Sequence, residues 1–135
     1  MNELRLAIDA CGLSQREAAE YLGVRKDTVE RALRGRDRTP RGWLAELRQL
    51  HDRQQQAAQQ AFQLWREAGE PKEIELGIAS DDYEAQQPPL GWPCVSAQLA
   101  VMRLLWERLP GDVRLRLVPR GITVATAGAA DAHKS

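Results

Sequence analysis

The chain has 135 residues, with 19 Lys and Arg balanced by 19 Asp and Glu. This length fits one domain or two very small ones, and a net charge of zero argues against a protein that coats nucleic acid with its whole surface. The two cysteines and two histidines are scattered, no run of about 18 apolar residues occurs, and the first residues do not resemble a signal peptide. We therefore expect a cytoplasmic protein with free thiols, no metal, no cofactor and no membrane segment.

The charges are unevenly distributed. Residues 25–41 hold seven basic and three acidic side chains, a net charge of +4. Residues 61–135 hold eight basic and ten acidic side chains, a net charge of −2. The zero total therefore conceals a basic segment near the N-terminus.

Three short helices are predicted in the first part of the chain. Apolar residues at helical spacing predict the first over residues 2–11. Ser14 and Glu17 have the spacing of a capping box, which begins the second. Gly23 supplies the turn after it, because a left-handed backbone strains other residues. The third helix is predicted over residues 26–34, and its buried stripe comprises Val29, Ala32 and Leu33.

A long helix is predicted next. Thr39 is a good N-cap, and Pro40 suits the first helical position because its missing N–H is not needed there. The helical pattern continues to about Ala68, and Gly69 and Pro71 then end it.

The second half of the chain mixes strands and helix. Alternation of polar and apolar residues predicts strands over residues 73–78 and 113–118, with a third over 122–125. Residues 81–93 are predicted as a loop, and Ser96 as the cap of an apolar helix over 97–109.

One segment carries the clearest functional pattern. Residues 13–35, LSQREAAEYLGVRKDTVERALRG, place Ala19 for close packing, Gly23 at a turn and polar side chains on the outer face of the third helix. This segment resembles the lambda-repressor-like helix-turn-helix of the xenobiotic-response-element family. Arg25 is a departure, because the family usually has Ser or Thr there as the helix cap.

A wider resemblance covers residues 2–118. Gly35-Arg36-Asp37-Arg38-Thr39-Pro40 precedes the long helix, Pro71-Lys72 precedes a strand, Asp82-Tyr83 lies in a loop, and Gly91-Trp92 precedes the apolar helix. This order is similar to that of the anti-CRISPR-associated regulators and their YdiL-like relatives. The resemblance implies a C-terminal part that forms a homodimer and a repressor that binds inverted repeats in its own operon.

Roles for individual residues follow from this resemblance and from their outward positions. Base contacts are expected from Lys26, Asp27, Thr28 and Arg31. Phosphate contacts, which position a protein without reading sequence, are expected from Gln15, Arg25, Arg34, Arg36, Arg38 and Arg41. Dimer contacts are expected from Ile74, Leu76, Trp92, Leu99, Met102, Trp106, Leu115 and Leu117. Glu30 is expected to pair with Arg34 at i+4, and no residue is assigned a catalytic or metal-binding role.

The predicted fold class is mainly α. A lambda-repressor-like helix-turn-helix domain with a long connecting helix occupies residues 1–69, a small α+β dimerisation domain occupies 70–126, and 127–135 is a disordered tail. The predicted function is sequence-specific repression of transcription on double-stranded DNA, by a cytoplasmic, nucleoid-associated protein that is not an enzyme. Two alternatives stay open: a protein-interaction module, such as an antitoxin or adaptor that uses its C-terminal half, and RNA binding by the same basic face.

Overall fold

A computed structural model describes residues 2–120 of the chain. These residues form six α-helices and a two-stranded parallel sheet, which confirms the prediction of a mainly helical protein with a small strand component. The elements are α1 (Glu3–Ala10), α2 (Gln15–Leu22), α3 (Lys26–Leu33), α4 (Arg41–Glu67), β1 (Glu73–Ile78), α5 (Asp82–Gln86), α6 (Val95–Arg108) and β2 (Arg114–Pro119).

The chain divides into two compact units, Met1–Gln54 and Gln55–Ser135, so that α4 contributes to both. The predicted domain limits at residues 69 and 126 stay a prediction. The third strand predicted over 122–125 and the tail over 127–135 lie outside the described residues.

Local hydrogen bonds explain where α2 begins and ends. The Glu17 backbone N–H donates to Ser14 Oγ at 3.1 Å, and the Ser14 N–H donates to Glu17 Oε1 at 2.9 Å. The predicted capping box is therefore confirmed, and it satisfies N–H groups that a helix start otherwise leaves without partners. Gly23 follows with a φ of 72°, the left-handed turn expected of it.

Asn2 connects the start of α1 to the end of α3. Its Oδ1 accepts a hydrogen bond from the Arg5 N–H at 3.0 Å, which caps α1. Its Nδ2 donates to the Ala32 carbonyl at 3.0 Å, near the end of α3. One side chain thus forms hydrogen bonds with the backbone of two helices, and no periodicity argument identifies such a contact.

The core of the first unit is built from the apolar faces of its four helical segments. Leu4 and Ile8 of α1, Val29 of α3, and Leu47 and Leu50 of α4 are all buried. This packing supports α3, whose opposite face stays exposed.

The beginning of α4 differs from the prediction. The helix begins at Arg41, so Pro40 precedes the first helical position instead of occupying it. The Pro40 carbonyl nevertheless accepts a hydrogen bond from the Trp43 N–H at 3.1 Å, which begins the helical turn. The predicted end is confirmed: α4 stops at Glu67, and the Trp65 indole Nε1 donates to the Pro71 carbonyl at 2.8 Å.

Cys11 is a buried structural thiol. Its Sγ donates to the Leu47 carbonyl at 3.3 Å, and its own carbonyl accepts a hydrogen bond from Gln54 Nε2 at 3.0 Å. Both Cys11 and Gln54 are fully buried, so these bonds join the end of α1 to α4 in the core. Burial raises the pKa of the Cys11 thiol to about 11, because a thiolate is poorly solvated there.

This raised pKa predicts a loss of stability in alkaline solution. An unfolded thiol ionises near pH 8.5, whereas the folded protein keeps its Cys11 proton until about pH 11. Unfolding therefore releases a proton between these values, and the free energy of unfolding should fall by up to about 1.4 kcal/mol per pH unit across that window. Urea denaturation at pH 8, 9 and 10 measures the slope. Cys11→Ala should reduce it, and an identical slope in that variant would show that Cys11 is not its source.

The second unit contains the sheet. Strands β1 and β2 are parallel, with Ile74 opposite Leu115 and Leu76 opposite Leu117. Both predicted strands within the described residues are therefore confirmed. Side chains alternate between the two faces of a strand, so these four apolar residues share one face of the sheet. Charged residues occupy the other face, where Arg116 Nη1 lies 3.0 Å from Glu75 Oε2.

The segment predicted as a loop contains the short helix α5. Asp81 caps it, because its Oδ1 accepts from the Glu84 N–H at 2.8 Å. The next helix, α6, begins at Val95 and not at Ala97, so the predicted cap Ser96 lies inside it. Asp82 Oδ1 accepts the Val95 N–H at 2.9 Å. The cap of α6 is thus supplied by a residue 13 positions earlier, which local capping rules do not predict.

Gln98 is the polar residue at the centre of this unit. It is 3% exposed, and its Oε1 accepts from the Ala79 N–H at 2.9 Å while its Nε2 donates to the Gly77 carbonyl at 3.3 Å. Gln98 therefore joins α6 to the end of β1.

Across residues 2–120, no helix is both long enough and apolar enough to cross a membrane.

Candidate nucleic-acid interface

Helix α3 is anchored on one face and open on the other. Val29 and Ala32 are buried, 0% and 2% exposed, and hold the helix against the first unit's core. The four residues predicted to contact bases are all exposed on this one helix: Lys26, Asp27, Thr28 and Arg31. The structure therefore brings the predicted base contacts together on a single polar surface.

Most of the predicted phosphate contacts surround α3. Arg25 immediately precedes the helix, three arginines follow it before α4, and one is the first residue of α4. All five are exposed: Arg25, Arg34, Arg36, Arg38 and Arg41. Gln15 differs, because it is the first residue of α2 and is only partly exposed. The resemblance to the lambda-repressor-like helix-turn-helix implies a phosphate contact from a residue at the first position of α2.

Two of the predicted base contacts are held in ion pairs. Arg25 Nε lies 3.3 Å from Asp27 Oδ1. Arg31 Nε lies 2.9 Å from Asp37 Oδ2, and Arg31 Nη2 lies 3.5 Å from Asp37 Oδ1. The hydrogen bond from Arg31 lowers the pKa of the Asp37 carboxyl, and Asp37 in turn raises the pKa of Arg31. Both groups are therefore charged across the physiological range.

The remaining basic residues are available to an anion. Within residues 2–120, Lys26, Arg34, Arg36 and Arg38 take part in no salt bridge, although acidic residues lie nearby in sequence. The side-chain ion pair predicted between Glu30 and Arg34 is likewise not formed in the described part of the chain. Glu30 and Arg34 are linked instead by the backbone, where the Arg34 N–H donates to the Glu30 carbonyl at 3.0 Å. The Arg34 side chain is exposed to solvent.

Asp37 is the functional candidate that sequence reasoning missed. It lies between Arg36 and Arg38, where an acidic residue interrupts a run of arginines. Its pairing depends on the turn after α3: Gly35 has a φ of 77°, and the Arg36 N–H donates to the Arg31 carbonyl at 3.0 Å. The turn folds the segment back toward α3, so residues six apart in sequence meet.

The residues predicted to form a dimer interface have different environments. Trp106, Leu117 and Leu99 are 63%, 43% and 38% exposed. The partly exposed members of the set are Ile74, Leu76, Met102 and Leu115. Trp92 is only 8% exposed, so its own chain already covers most of the indole.

The described residues do not bring metal-binding side chains together: no group of three or more His, Cys, Asp or Glu residues there is arranged to hold an ion. Both cysteines are buried and free. No protein-family model matches the chain, and no curated protein matches it.

Proposed function

We propose that the protein is a sequence-specific DNA-binding repressor of transcription, in which α2, the turn at Gly23 and α3 form a helix-turn-helix. The observation that carries this proposal is the exposed polar face of α3, flanked by arginines without salt bridges. A buried apolar stripe fixes the helix, so its polar side chains project from a rigid support.

The chemistry of this face suits the major groove of DNA. A groove about 12 Å wide admits one α-helix, and the edges of the bases there present distinct patterns of donors and acceptors. Lys26 and Arg31 are donors for guanine O6 and N7, and the Thr28 methyl group suits the thymine methyl. Arg34, Arg36 and Arg38 flank the helix and suit phosphate oxygens, which provide affinity and fix orientation.

We further propose that two copies act together. One helix with few phosphate contacts gives weak binding, and a dimer doubles both kinds of contact. The exposed apolar residues of the second unit, Leu99, Trp106 and Leu117, are available for contacts with a second copy. The DNA site would then be an inverted repeat, with half-sites about 34 Å apart.

A second candidate function rests on the same apolar surface. A chain that exposes 63% of a tryptophan is also suited to hold a different protein, as an antitoxin or adaptor does. Light scattering on the purified chain separates the two: a dimer at micromolar concentration supports the repressor, whereas a monomer that aggregates supports the adaptor.

Removing two arginines should weaken DNA binding without regard to sequence. We expect the Arg36→Ala, Arg38→Ala double variant to bind every duplex less tightly and to lower the slope of log affinity against log salt by about two, because each lost phosphate contact releases about one fewer counterion. Fluorescence anisotropy with a labelled duplex of mixed sequence, between about 50 and 200 mM salt, measures this slope.

The matched control removes the same charge elsewhere. Arg66 and Arg103 are exposed residues of the second unit, and the Arg66→Ala, Arg103→Ala variant should keep the wild-type slope. Equal slopes in all three proteins would contradict a phosphate-binding role for the arginines after α3. A double-stranded RNA of the same sequence, run in parallel, tests the remaining nucleic-acid partner.

A further inference from the structure

The contact between Arg31 and Asp37 uses one particular edge of the guanidinium group. Arg31 Nε and Nη2 donate to the two carboxylate oxygens of Asp37, at 2.9 and 3.5 Å. A guanidinium has five N–H donors, and this two-pronged contact occupies two of them. The three that remain include one on each terminal nitrogen, which together form the end-on edge of the group.

That free edge matches a guanine base. Guanine presents two acceptors, O6 and N7, to the major groove, and an arginine binds both at once when its guanidinium lies in the plane of the base. A free arginine side chain has many rotamers and loses that freedom on binding. The Asp37 carboxylate, which accepts from Nε and Nη2, restricts the Arg31 rotamers in the free protein.

We propose that Asp37 is a positioning residue that orients Arg31 to read a guanine. The inference rests on the proposed DNA-binding function and adds a specificity determinant outside α3. Asp37 itself touches no base in this arrangement; it acts through Arg31. It also makes Arg31, and not Lys26, the more selective base contact, because a lysine ammonium has no second edge to be held.

The position of Asp37 argues against a role in stability or in overall affinity. The pair is exposed, with 59% and 46% of the two side chains accessible, and exposed ion pairs contribute little to folding. Asp37 also lies among Arg34, Arg36 and Arg38, where its negative charge repels phosphate. A residue that weakens general attraction to DNA but organises the base contact favours discrimination between sequences.

A double-mutant cycle on Arg31 and Asp37 tests the proposal. Affinity is measured for a duplex selected from a random pool by the wild-type protein, for a duplex of mixed sequence, and for the selected duplex with single guanines replaced by 7-deazaguanine, which lacks N7. We expect Asp37→Ala to lower the ratio of selected to mixed affinity by about threefold to fivefold, because Arg31 keeps its donors but loses the contact that orients them. Its affinity for the mixed duplex should stay equal or rise, since a negative charge is removed.

Two further results are expected. Asp37→Ala should cause no additional loss of discrimination when Arg31 is already alanine, and it should reduce the penalty of one particular 7-deazaguanine. Asp52→Ala is the matched control, because it removes an exposed carboxylate from α4, and it should change nothing.

Failure of the positioning role of Asp37 can be distinguished from failure of the proposed DNA-binding function. If the wild type discriminates between duplexes and Asp37→Ala discriminates equally well, the positioning role is overturned while the proposed function stands. If Asp37→Ala raises affinity for all duplexes by the same factor, Asp37 is only a repulsive charge, and the positioning role is again overturned. If the wild type binds all duplexes alike, the proposed function itself is overturned, and this inference with it.

Discussion

The Lys26→Ala, Arg31→Ala double variant should stay folded and keep its oligomeric state, yet lose the ability to distinguish its preferred duplex from a mixed one. Both side chains are exposed on α3 and support no core residue. Each base contact contributes about 1–3 kcal/mol of discrimination, so the loss of two predicts a fall of about 30-fold or more. Anisotropy with the two duplexes measures this ratio, and light scattering confirms the oligomeric state.

The control for this experiment must lose the same charge without touching α3. The Arg66→Ala, Arg103→Ala variant meets that condition and should discriminate as the wild type does. If the Lys26→Ala, Arg31→Ala variant also kept full discrimination, α3 would not be the element that reads DNA.

The Gln98→Leu substitution should cause a large loss of stability in the second unit. It leaves the Ala79 N–H and the Gly77 carbonyl without the hydrogen bonds that Gln98 provides at 2.9 and 3.3 Å. A buried polar group that loses its partner costs about 1–3 kcal/mol, so a decrease of about 2–4 kcal/mol in the free energy of unfolding is expected. Urea denaturation followed by circular dichroism measures it.

Gln56→Leu is the matched control for Gln98→Leu, because it makes the same chemical change at an exposed position of α4. It should alter stability by less than about 0.5 kcal/mol. If the two variants were equally stable, the bonds between α6 and the end of β1 would not hold the second unit together. If the dimer forms through this unit, Gln98→Leu should also weaken dimerisation.

Features set by local chemistry were predictable from the sequence. The capping box of Ser14 and Glu17, the left-handed turn at Gly23 and the burial of Val29 and Ala32 depend on residues within a few positions of one another, although Leu33, predicted in the same stripe, is partly exposed. The exposure of Lys26 and Arg31 followed from the same helical periodicity. The reading of these features as a DNA-binding motif is a hypothesis that the experiments above address.

Features that depend on residues distant in sequence were not predictable in this way. Asp82, the first residue of α5, accepts the Val95 N–H at the start of α6, and Asn2 donates to the Ala32 carbonyl near the end of α3. The buried glutamine Gln98 has no periodic signature, because its two partners lie about 20 residues earlier in the chain. The pairing of Arg31 with Asp37 required the turn at Gly35, whose effect on side-chain positions is three-dimensional. The i,i+4 spacing on a helix predicted an ion pair between Glu30 and Arg34, and it did not predict the pair between Arg31 and Asp37.

Selection of binding sites from a random pool of duplex DNA, with the purified wild-type protein, tests directly whether α3 reads DNA sequence. We expect enrichment of an inverted repeat, with half-sites about one helical turn apart and at least one guanine in each half. The Lys26→Ala, Arg31→Ala variant should enrich no such repeat from the same pool. A wild-type selection that converges on no sequence would contradict the assignment of α3 as a DNA-reading helix.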